Sequence, residues 1–225
     1  MKHKITVLGL GPDNIEFLTV KANEILQSSE RVIFRTDKCA AAEYLASKNV
    51  KYESCDFIYE TAQNFNELEQ NIAKNVISLA EEKDVVYAVP GSGVYDDGSV
   101  DILCAEYENT EIIPGVDAGD FMLAKSLPEG ISVGVCSIPA SMLSDAVINT
   151  RLPLLITSLD DQFTLSEVKI ALSQRYIDEH PVKIINKDKC HEVMLYEIDR
   201  GYEVDHTSCL YVGPKHDGQK YDLLE

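Results

Sequence analysis

Three short glycine segments contain the residues best suited to bind a ligand: Gly9-Leu10-Gly11-Pro12, Pro90-Gly91-Ser92-Gly93 and Pro114-Gly115-Val116-Asp117. Each follows a run of β-branched and apolar residues that is typical of a buried strand. Glycine permits tight turns and lets a ligand come close to the main chain. The segments therefore offer main-chain amides and carbonyls, which suit recognition of a neutral or cationic cofactor and catalysis by positioning.

The first segment also matches the start of the G-x-G-x-x-G fingerprint of dinucleotide-binding proteins. The third glycine of that fingerprint would fall at position 14, which is Asn14, and Pro12 has no amide to donate to a phosphate. The mismatch disfavours a nicotinamide or flavin site. The segment can also be interpreted as a plain turn between a strand and a helix, with no ligand bound.

Motifs of metal, nucleotide and hydrolytic chemistry are absent from the sequence. It contains no Walker segment, HExxH, GxSxG or CxxC, and its histidines at positions 3, 180, 191, 206 and 216 are scattered. The two nearest cysteines, Cys39 and Cys55, do not have zinc-ligand spacing, and we expect no metal at the adjacent Cys190 and His191. No residue stands out as a general base, so no catalytic residue is assigned.

The charge of the chain restricts its partners. The formal net charge is -18, and no lysine- or arginine-rich segment interrupts it, so electrostatic repulsion disfavours binding to nucleic acid. The same repulsion disfavours a polyanionic substrate unless Arg31, Arg35 and Lys38 line its pocket. Nucleic acid is therefore not an expected partner.

We also expect no association with a membrane. The longest apolar runs, such as residues 152–156, are far too short to span a bilayer. The first residues, Met1-Lys2-His3-Lys4, lead directly into a strand-like run without the apolar stretch and cleavage site of a signal peptide. These features predict a cytoplasmic protein.

Strand and helix patterns alternate in the first half of the chain, which is typical of parallel βαβ units. Thr19 is suited to cap a helix, and apolar residues from Phe65 to Leu79 recur at helical spacing. Because ligands bind at the carboxyl ends of the strands in such sheets, the glycine segments should form one site. The predicted strands are Ile5–Gly9, 31–34, 84–89 and 111–113, and the predicted helices follow Thr19, lie near 39–48 and run from 65 to 83.

Strand patterns in the second half are joined by short connections, which indicates antiparallel neighbours and a mixed sheet. The predicted strands are 131–137, 153–157, 182–185, 193–198 and 209–212, with one helix over 164–176. Together these patterns predict an α/β fold of two domains. The N-terminal α/β domain covers residues 1–116, and the C-terminal α/β domain with the mixed sheet covers 117–225.

The glycine segments resemble a known family. Ile5-Thr6-Val7-Leu8-Gly9-Leu10-Gly11-Pro12 is similar to the opening strand and glycine-proline loop of the tetrapyrrole (corrin/porphyrin) methylases. Val89-Pro90-Gly91-Ser92 resembles the second loop of that family, and Ile113-Pro114-Gly115-Val116-Asp117 resembles the third. All three occur in the family's order.

The second half carries a narrower resemblance. Ser166-Glu167-Val168-Lys169, Leu195-Tyr196-Glu197-Ile198-Asp199-Arg200 and Cys209-Leu210-Tyr211-Val212 resemble the methylase-like domain found fused to MazG-type nucleotide pyrophosphohydrolases. The resemblance spans nearly the whole chain. It implies a tetrapyrrole-methylase-like fold with a mostly parallel N-terminal sheet, a mixed C-terminal sheet and a cleft between them. It also implies a homodimer that binds S-adenosylmethionine in the cleft, with the methyl acceptor beside it.

The resemblance implies a set of cofactor-binding positions. Residues 155–157 would flank the adenine, and residues 90–94 would approach the methionine part. Tyr95, Asp96, Asp117 and Asp120 are candidates for contacts to the acceptor. The implied cofactor-binding residues are Gly11, Pro12, Pro90, Gly91, Ser92, Gly93, Val94, Pro114, Gly115, Val116, Asp117, Leu155, Ile156 and Thr157.

Some positions depart from the family pattern. Asp13 and Asn14 follow the first loop where glycine and then aspartate are common, and Gly93 stands where proline is common. Arg35-Thr36 matches a family pair, but the usual His-Pro that follows is replaced. Despite these departures, the resemblance implies an S-adenosylmethionine-dependent methyltransferase acting on an unidentified small molecule. A non-catalytic S-adenosylmethionine-binding regulatory module of a nucleotide pyrophosphohydrolase system is the alternative.

Overall fold

The structure is a computed structural model that describes residues 2–95, 97–126, 132, 134–186, 189–205 and 207–215. By their internal contacts these residues form two compact units, Met1–Ala118 and Gly119–Glu225. All three glycine segments belong to the first unit. The candidate residues 155–157 belong to the second.

The first unit is built on a sheet of five parallel strands in the order β3-β2-β4-β1-β5. Four of its strands were predicted from apolar, β-branched runs, and these predictions are confirmed. The short β3 was not predicted. The strands are β1 (Ile5–Gly9), β2 (Val32–Phe34), β3 (Glu53–Ser54), β4 (Val85–Val89) and β5 (Thr110–Ile113).

Five α-helices accompany this sheet among the described residues, and polar caps fix where two of the longer ones begin. The Thr19 side chain accepts a hydrogen bond from the Ala22 amide at 3.1 Å, which confirms the predicted cap of α1. Asn64 caps α4 in the same way, through the Glu67 amide at 2.9 Å. The helices are α1 (Val20–Ser28), α2 (Ala40–Ser47), α3 (Asp56–Tyr59), α4 (Phe65–Ala80) and α5 (Gly98–Glu106).

The helical periodicity of α4 correctly predicts its buried face, except at the start. Leu68, Ile72 and Val76 are buried in one cluster with Tyr87 of β4. Phe65, which was placed on the same face, is 81% exposed. Helical side chains point back toward the amino end, so a side chain at the first helical position extends beyond the start of the packed helix.

The second unit contains the mixed sheet that the sequence predicted, in the order β6-β7-β10-β8-β9. β6 runs parallel to β7, whereas β10 is antiparallel to β7 and β8, and β8 is antiparallel to β9. The predicted α/β class, with one parallel and one mixed sheet, is confirmed. The strands are β6 (Cys136–Pro139), β7 (Leu154–Thr157), β8 (Pro181–Asn186), β9 (Lys189–Met194) and β10 (Cys209–Val212), and the helices are α6 (Ala118–Ser126) and α7 (Gln162–Ser173).

Two strand predictions in this unit need correction. The strand predicted over 193–198 is wrong: the strand there is Lys189–Met194, and Leu195–Glu197 forms a short 3-10 helix. Leu195 and Ile198 are both buried, and their spacing of three residues matches a helical turn. For the strand predicted over 131–137, residues 131 and 133 lie outside the described residues, and the observed strand begins at Cys136.

Among the residues that the structure describes, no helix has both the length and the apolar character needed to cross a membrane.

Candidate cofactor site

The three glycine loops emerge from three neighbouring strands. In the sheet, β1 lies between β4 and β5 and is parallel to both. The first loop (residues 9–12), the second loop (90–95) and the third loop (114–117) therefore leave the same edge of the sheet. This is the edge at which open parallel sheets bind ligands.

Backbone hydrogen bonds join the loops to one another. The Gly11 amide donates to the Gly91 carbonyl, and the Gly91 amide donates to the Gly11 carbonyl, both at 2.9 Å. The Gly115 amide donates to the Ser92 carbonyl at 3.0 Å. These three amides are thus used between loops, and a ligand would meet other backbone groups of the site.

Close approach of the main chains requires glycine at two positions. A Cβ atom on Gly9 would lie 2.3 Å from the Ser92 carbonyl oxygen and 2.4 Å from the Gly115 nitrogen. A Cβ atom on Gly115 would lie 2.6 Å from the Gly9 oxygen. Since these neighbours are all backbone atoms, no side-chain movement can relieve the clash.

Gly91 is required for a different reason. Its φ is +73°, a value that residues with a side chain rarely adopt, and no described atom lies within 4 Å of a Cβ built on it. The backbone at Gly91 therefore borders open space, with the two adjacent loops holding it in place. This open position is where a bound molecule could approach the main chain.

The residues after the first loop have local structural roles. The Asp13 carboxylate accepts a hydrogen bond from the Ala40 amide at 2.7 Å, at the start of α2. Asn14 caps the 3-10 helix Ile15–Phe17 through the Glu16 amide at 2.9 Å. The Gly11 amide is bonded to Gly91 and Pro12 has no amide, so neither residue can donate a hydrogen bond to a pyrophosphate. This argues against the dinucleotide interpretation.

The candidates for acceptor contacts are placed differently from one another. Tyr95 of the second loop is exposed, with 67% of it accessible to solvent, as is the adjacent cofactor candidate Val94. Asp117 is half-buried at the end of the third loop, and Asp120 is exposed in the first turn of α6. Asp96 lies outside the described residues.

The three candidates from the second unit lie on β7. Leu155 and Ile156 are 1% and 0% exposed, and their side chains pack into clusters on opposite faces of the mixed sheet. Thr157, the last residue of β7, is half-buried. Of the three side chains, only that of Thr157 is accessible to a ligand without repacking.

A buried ionic cluster beside the second loop was not predicted. The Arg35 guanidinium donates to Asp97 Oδ1 at 2.7 Å and to Glu69 Oε1 at 2.8 Å, so both carboxylates bind one cation. Burial raises the pKa of Asp97, and the adjacent Arg35 opposes that shift. The sequence signal was weak: Arg35 directly follows a strand and Asp97 directly precedes a helix, but nothing in the spacing links them.

No group of three or more metal-binding side chains occurs in the described part of the chain. The six cysteines all have free thiols. Cys190 and His191 are both exposed on β9.

The parallel sheet and the three interlocked glycine loops at its carboxyl edge define an α/β protein whose loops lie where open parallel sheets bind ligands. Comparison with known families agrees. Residues 4–187 match the family model of the Tetrapyrrole (Corrin/Porphyrin) Methylases. The chain belongs to this family, as the resemblance of its loops predicts.

One relative and two solved structures illustrate the likeness. YabN of Bacillus subtilis (strain 168), described as an uncharacterized protein, is 28% identical in an alignment of 222 positions that covers 95% of this chain and 45% of the relative. The chain thus spans about half the length of that relative. Uroporphyrin-III-C-methyltransferase from Thermus thermophilus shares the fold with a TM-score of 0.71 at 19% identity, covering 94% of each chain. A structure of Uroporphyrin-III C-methyl transferase from Thermus thermophilus complexed with S-adenyl homocysteine has a TM-score of 0.63 at 19% identity, covering 93% of this chain and 92% of that one.

Proposed function

We propose that this chain is an S-adenosylmethionine-dependent methyltransferase that acts on a small molecule. The observation that carries the proposal is the interlocking of the three glycine loops, which leaves the backbone at Gly91 facing open space. Membership of the methylase family supports it. So does the solved relative that holds S-adenyl homocysteine.

The chemistry of the site fits this cofactor. A Cβ atom at Gly91 would occupy the open space, so the loop provides a cradle that only glycine leaves free. The sulfonium of S-adenosylmethionine is cationic, and a net charge of -18 attracts cations. When bound, the cofactor supplies a methyl group on this sulfur, which a nucleophile of the acceptor can take in line.

The contribution of the chain to the reaction is positioning. The hydrogen bonds among Gly11, Gly91, Ser92 and Gly115 hold the loops to one another, which lowers the entropy cost of ordering them on binding. Pro12, Pro90 and the other loop residues implied by the resemblance would form the walls. The role of residues 155–157 at the adenine rests on the resemblance alone.

Calorimetry of purified protein with S-adenosylmethionine and with its demethylated product tests the proposal. At a hundred times its dissociation constant, a ligand that binds only the folded state contributes about 2.7 kcal/mol of stability. For a chain of this length the midpoint of thermal unfolding should rise by roughly 5–11 °C. No binding heat and no shift at millimolar ligand would refute the cofactor assignment.

We further propose that the chain corresponds to the methylase-like domain found fused to MazG-type pyrophosphohydrolases. The motifs of the second half support this, as does a relative more than twice the length of the matched region. The methylase-like domain by itself should release no pyrophosphate from nucleoside triphosphates in the presence of magnesium. Release of pyrophosphate by pure protein would contradict the proposal.

The oligomeric state and location are also proposals. We propose a cytoplasmic homodimer with a small-molecule methyl acceptor and with neither nucleic acid nor membrane as a partner, on the strength of the resemblance and the net charge. Light scattering after size-exclusion chromatography tests the dimer. A mass equal to one chain would refute it.

A further inference from the structure

Arg35 joins three separate elements of the first unit. It follows the last residue of β2, and its backbone amide donates to the Ala88 carbonyl of β4 at 2.8 Å. Its side chain, only 14% exposed, binds Glu69 of α4 and Asp97 at the start of α5. Arg35 thereby links the carboxyl edge of the sheet to both helices that flank the second loop in sequence.

Asp97 anchors the chain where it leaves the second loop. Its Oδ1 atom accepts hydrogen bonds from the Ser99 amide at 3.0 Å, the Val100 amide at 3.4 Å and the Ser99 hydroxyl at 2.6 Å. Since the Ser99 hydroxyl gives its hydrogen to Asp97, it accepts one from Tyr87 of β4, at 2.9 Å. The second loop leaves β4 at its start, and the hydrogen bonds from Asp97 through Ser99 to Tyr87 connect the chain after the loop to β4 again.

The charges in the network make Arg35 difficult to replace. Two carboxylates share one guanidinium, and the second oxygen of Glu69 is buried with no hydrogen-bond partner among the described residues. Gly98 leaves room for this oxygen, because a Cβ atom there would lie 2.9 Å from it. Without Arg35, two buried carboxylates would repel each other with no compensating charge. Their separation would displace Asp97, the anchor of the second loop.

We propose that Arg35 is a positioning residue that holds the second loop in the conformation required to bind the adenosyl cofactor. This inference rests on the proposed function. Arg35 acts through Asp97 and not by touching the ligand. Its loss should loosen the loop in the ligand-free protein and weaken binding.

Arg31 supplies a control at the other end of β2, with carboxylate partners that are more exposed. It precedes β2, at the opposite end of the strand from the glycine loops, and it also binds two carboxylates, Glu53 at 3.1 Å and Glu82 at 3.2 Å. Arg31→Met and Arg35→Met therefore remove the same side chain and break two ion pairs each. Only Arg35→Met disturbs the anchor of the second loop.

The experiment has two readouts, both measured well below the unfolding temperature of each variant. Hydrogen exchange of the ligand-free protein should show faster exchange at the Gly91 and Val94 amides in Arg35→Met than in wild type. Titration calorimetry should show S-adenosylhomocysteine binding on the order of tenfold weaker or more, because an uncompensated buried charge displaces the loop. Arg31→Met should match wild type in both readouts. A purely stabilising role of Arg35 would lower the unfolding temperature and leave both readouts unchanged.

The conservative variant keeps the test decisive if Arg35→Met does not fold. Arg35→Lys retains the charge but lacks the planar fork that contacts both carboxylates, so it should give a smaller change in both readouts. If Arg35→Met shows the exchange and the affinity of wild type, the inference is overturned while the proposed function stands. If only Arg35→Lys folds, wild-type exchange and affinity in that variant lead to the same conclusion. Absence of S-adenosylhomocysteine binding by wild type would overturn both.

Discussion

Glycine serves two physical purposes at this site. At Gly9 and Gly115 it permits main chains to come within distances that no side chain allows. At Gly91 it permits a positive φ and leaves adjacent space open. Substitution of Gly9 or Gly115 should therefore destabilise the fold. Substitution of Gly91 should weaken ligand binding more than it destabilises the fold.

Gly91→Val should abolish the thermal shift produced by S-adenosylmethionine while leaving the protein folded. The valine side chain would fill the open space, and its positive φ should lower stability by about 1–3 kcal/mol. Ligand-dependent thermal shift measures the first effect. Circular dichroism of the free protein checks that the fold is retained.

Gly201→Val is the matched control for this variant. Gly201 has a φ of +83°, with no described atom within 4 Å of a Cβ built on it, but it lies outside the three loops. It should lose similar stability and keep the full ligand response. Equal responses of Gly91→Val and wild type would contradict the assignment of the second loop to the cofactor.

Gly115→Ala should destabilise the first unit by about 3 kcal/mol, because the added carbon would contact the backbone of Gly9 and Gly91. Urea denaturation measures the change. Gly213→Ala, at a position with no described neighbour within 4 Å of the added carbon, should be close to neutral. A neutral Gly115→Ala would show that the loops can separate without loss.

The sequence identifies these glycines but not their separate purposes. Strand-then-glycine segments predict a ligand edge, and this placement of the loops agrees with the structure. Whether a glycine is needed for φ or for close approach depends on which strands are neighbours, and β4-β1-β5 adjacency cannot be read from chain order. The Arg35 cluster is hidden for the same reason, since Glu69 and Asp97 meet only after α4 and α5 are placed.

At the scale of elements, the sequence was most informative where a short run of apolar or β-branched residues marked a buried strand. The predicted bounds of β1 and β10 match the observed strands. α5 was missed because it begins with glycine and depends on the Asp97 cap. The strand predicted over 193–198 failed because apolar composition favoured a strand while the spacing of Leu195 and Ile198 was helical.

Asn64→Ala should lower the stability of the first unit by about 1 kcal/mol, as expected for loss of an N-cap. The cap matters because α4 buries Leu68, Ile72 and Val76 in the core beneath the sheet's central strands. Urea denaturation followed by circular dichroism measures the loss. Lys74→Ala on the exposed face of the same helix should change stability by less than about 0.5 kcal/mol, and an equal loss in both variants would argue against a capping effect.

At the scale of the whole molecule, two of the three basic groups considered for an anionic substrate are already paired with carboxylates. Arg31 binds Glu53 and Glu82, and Arg35 binds Glu69 and Asp97. Of the three basic groups considered from the sequence, Lys38 alone is exposed. The net charge of -18 is therefore not offset by an arginine cluster at the carboxyl edge of the first unit.

We predict that the methyl acceptor is not a highly carboxylated porphyrinogen. A polyanion approaching a strongly acidic protein meets long-range repulsion, so methylation should be at least on the order of tenfold slower than with the same macrocycle carrying esterified, neutral side chains. Added salt screens such repulsion, so the rate with the polyanion should rise with ionic strength while the rate with the neutral ester stays constant. Mass spectrometry of the methylated products at low and high ionic strength measures both rates. Rapid methylation of the carboxylated compound at physiological salt, with a rate that falls as salt is added, would show that a basic pocket exists and that the prediction is wrong.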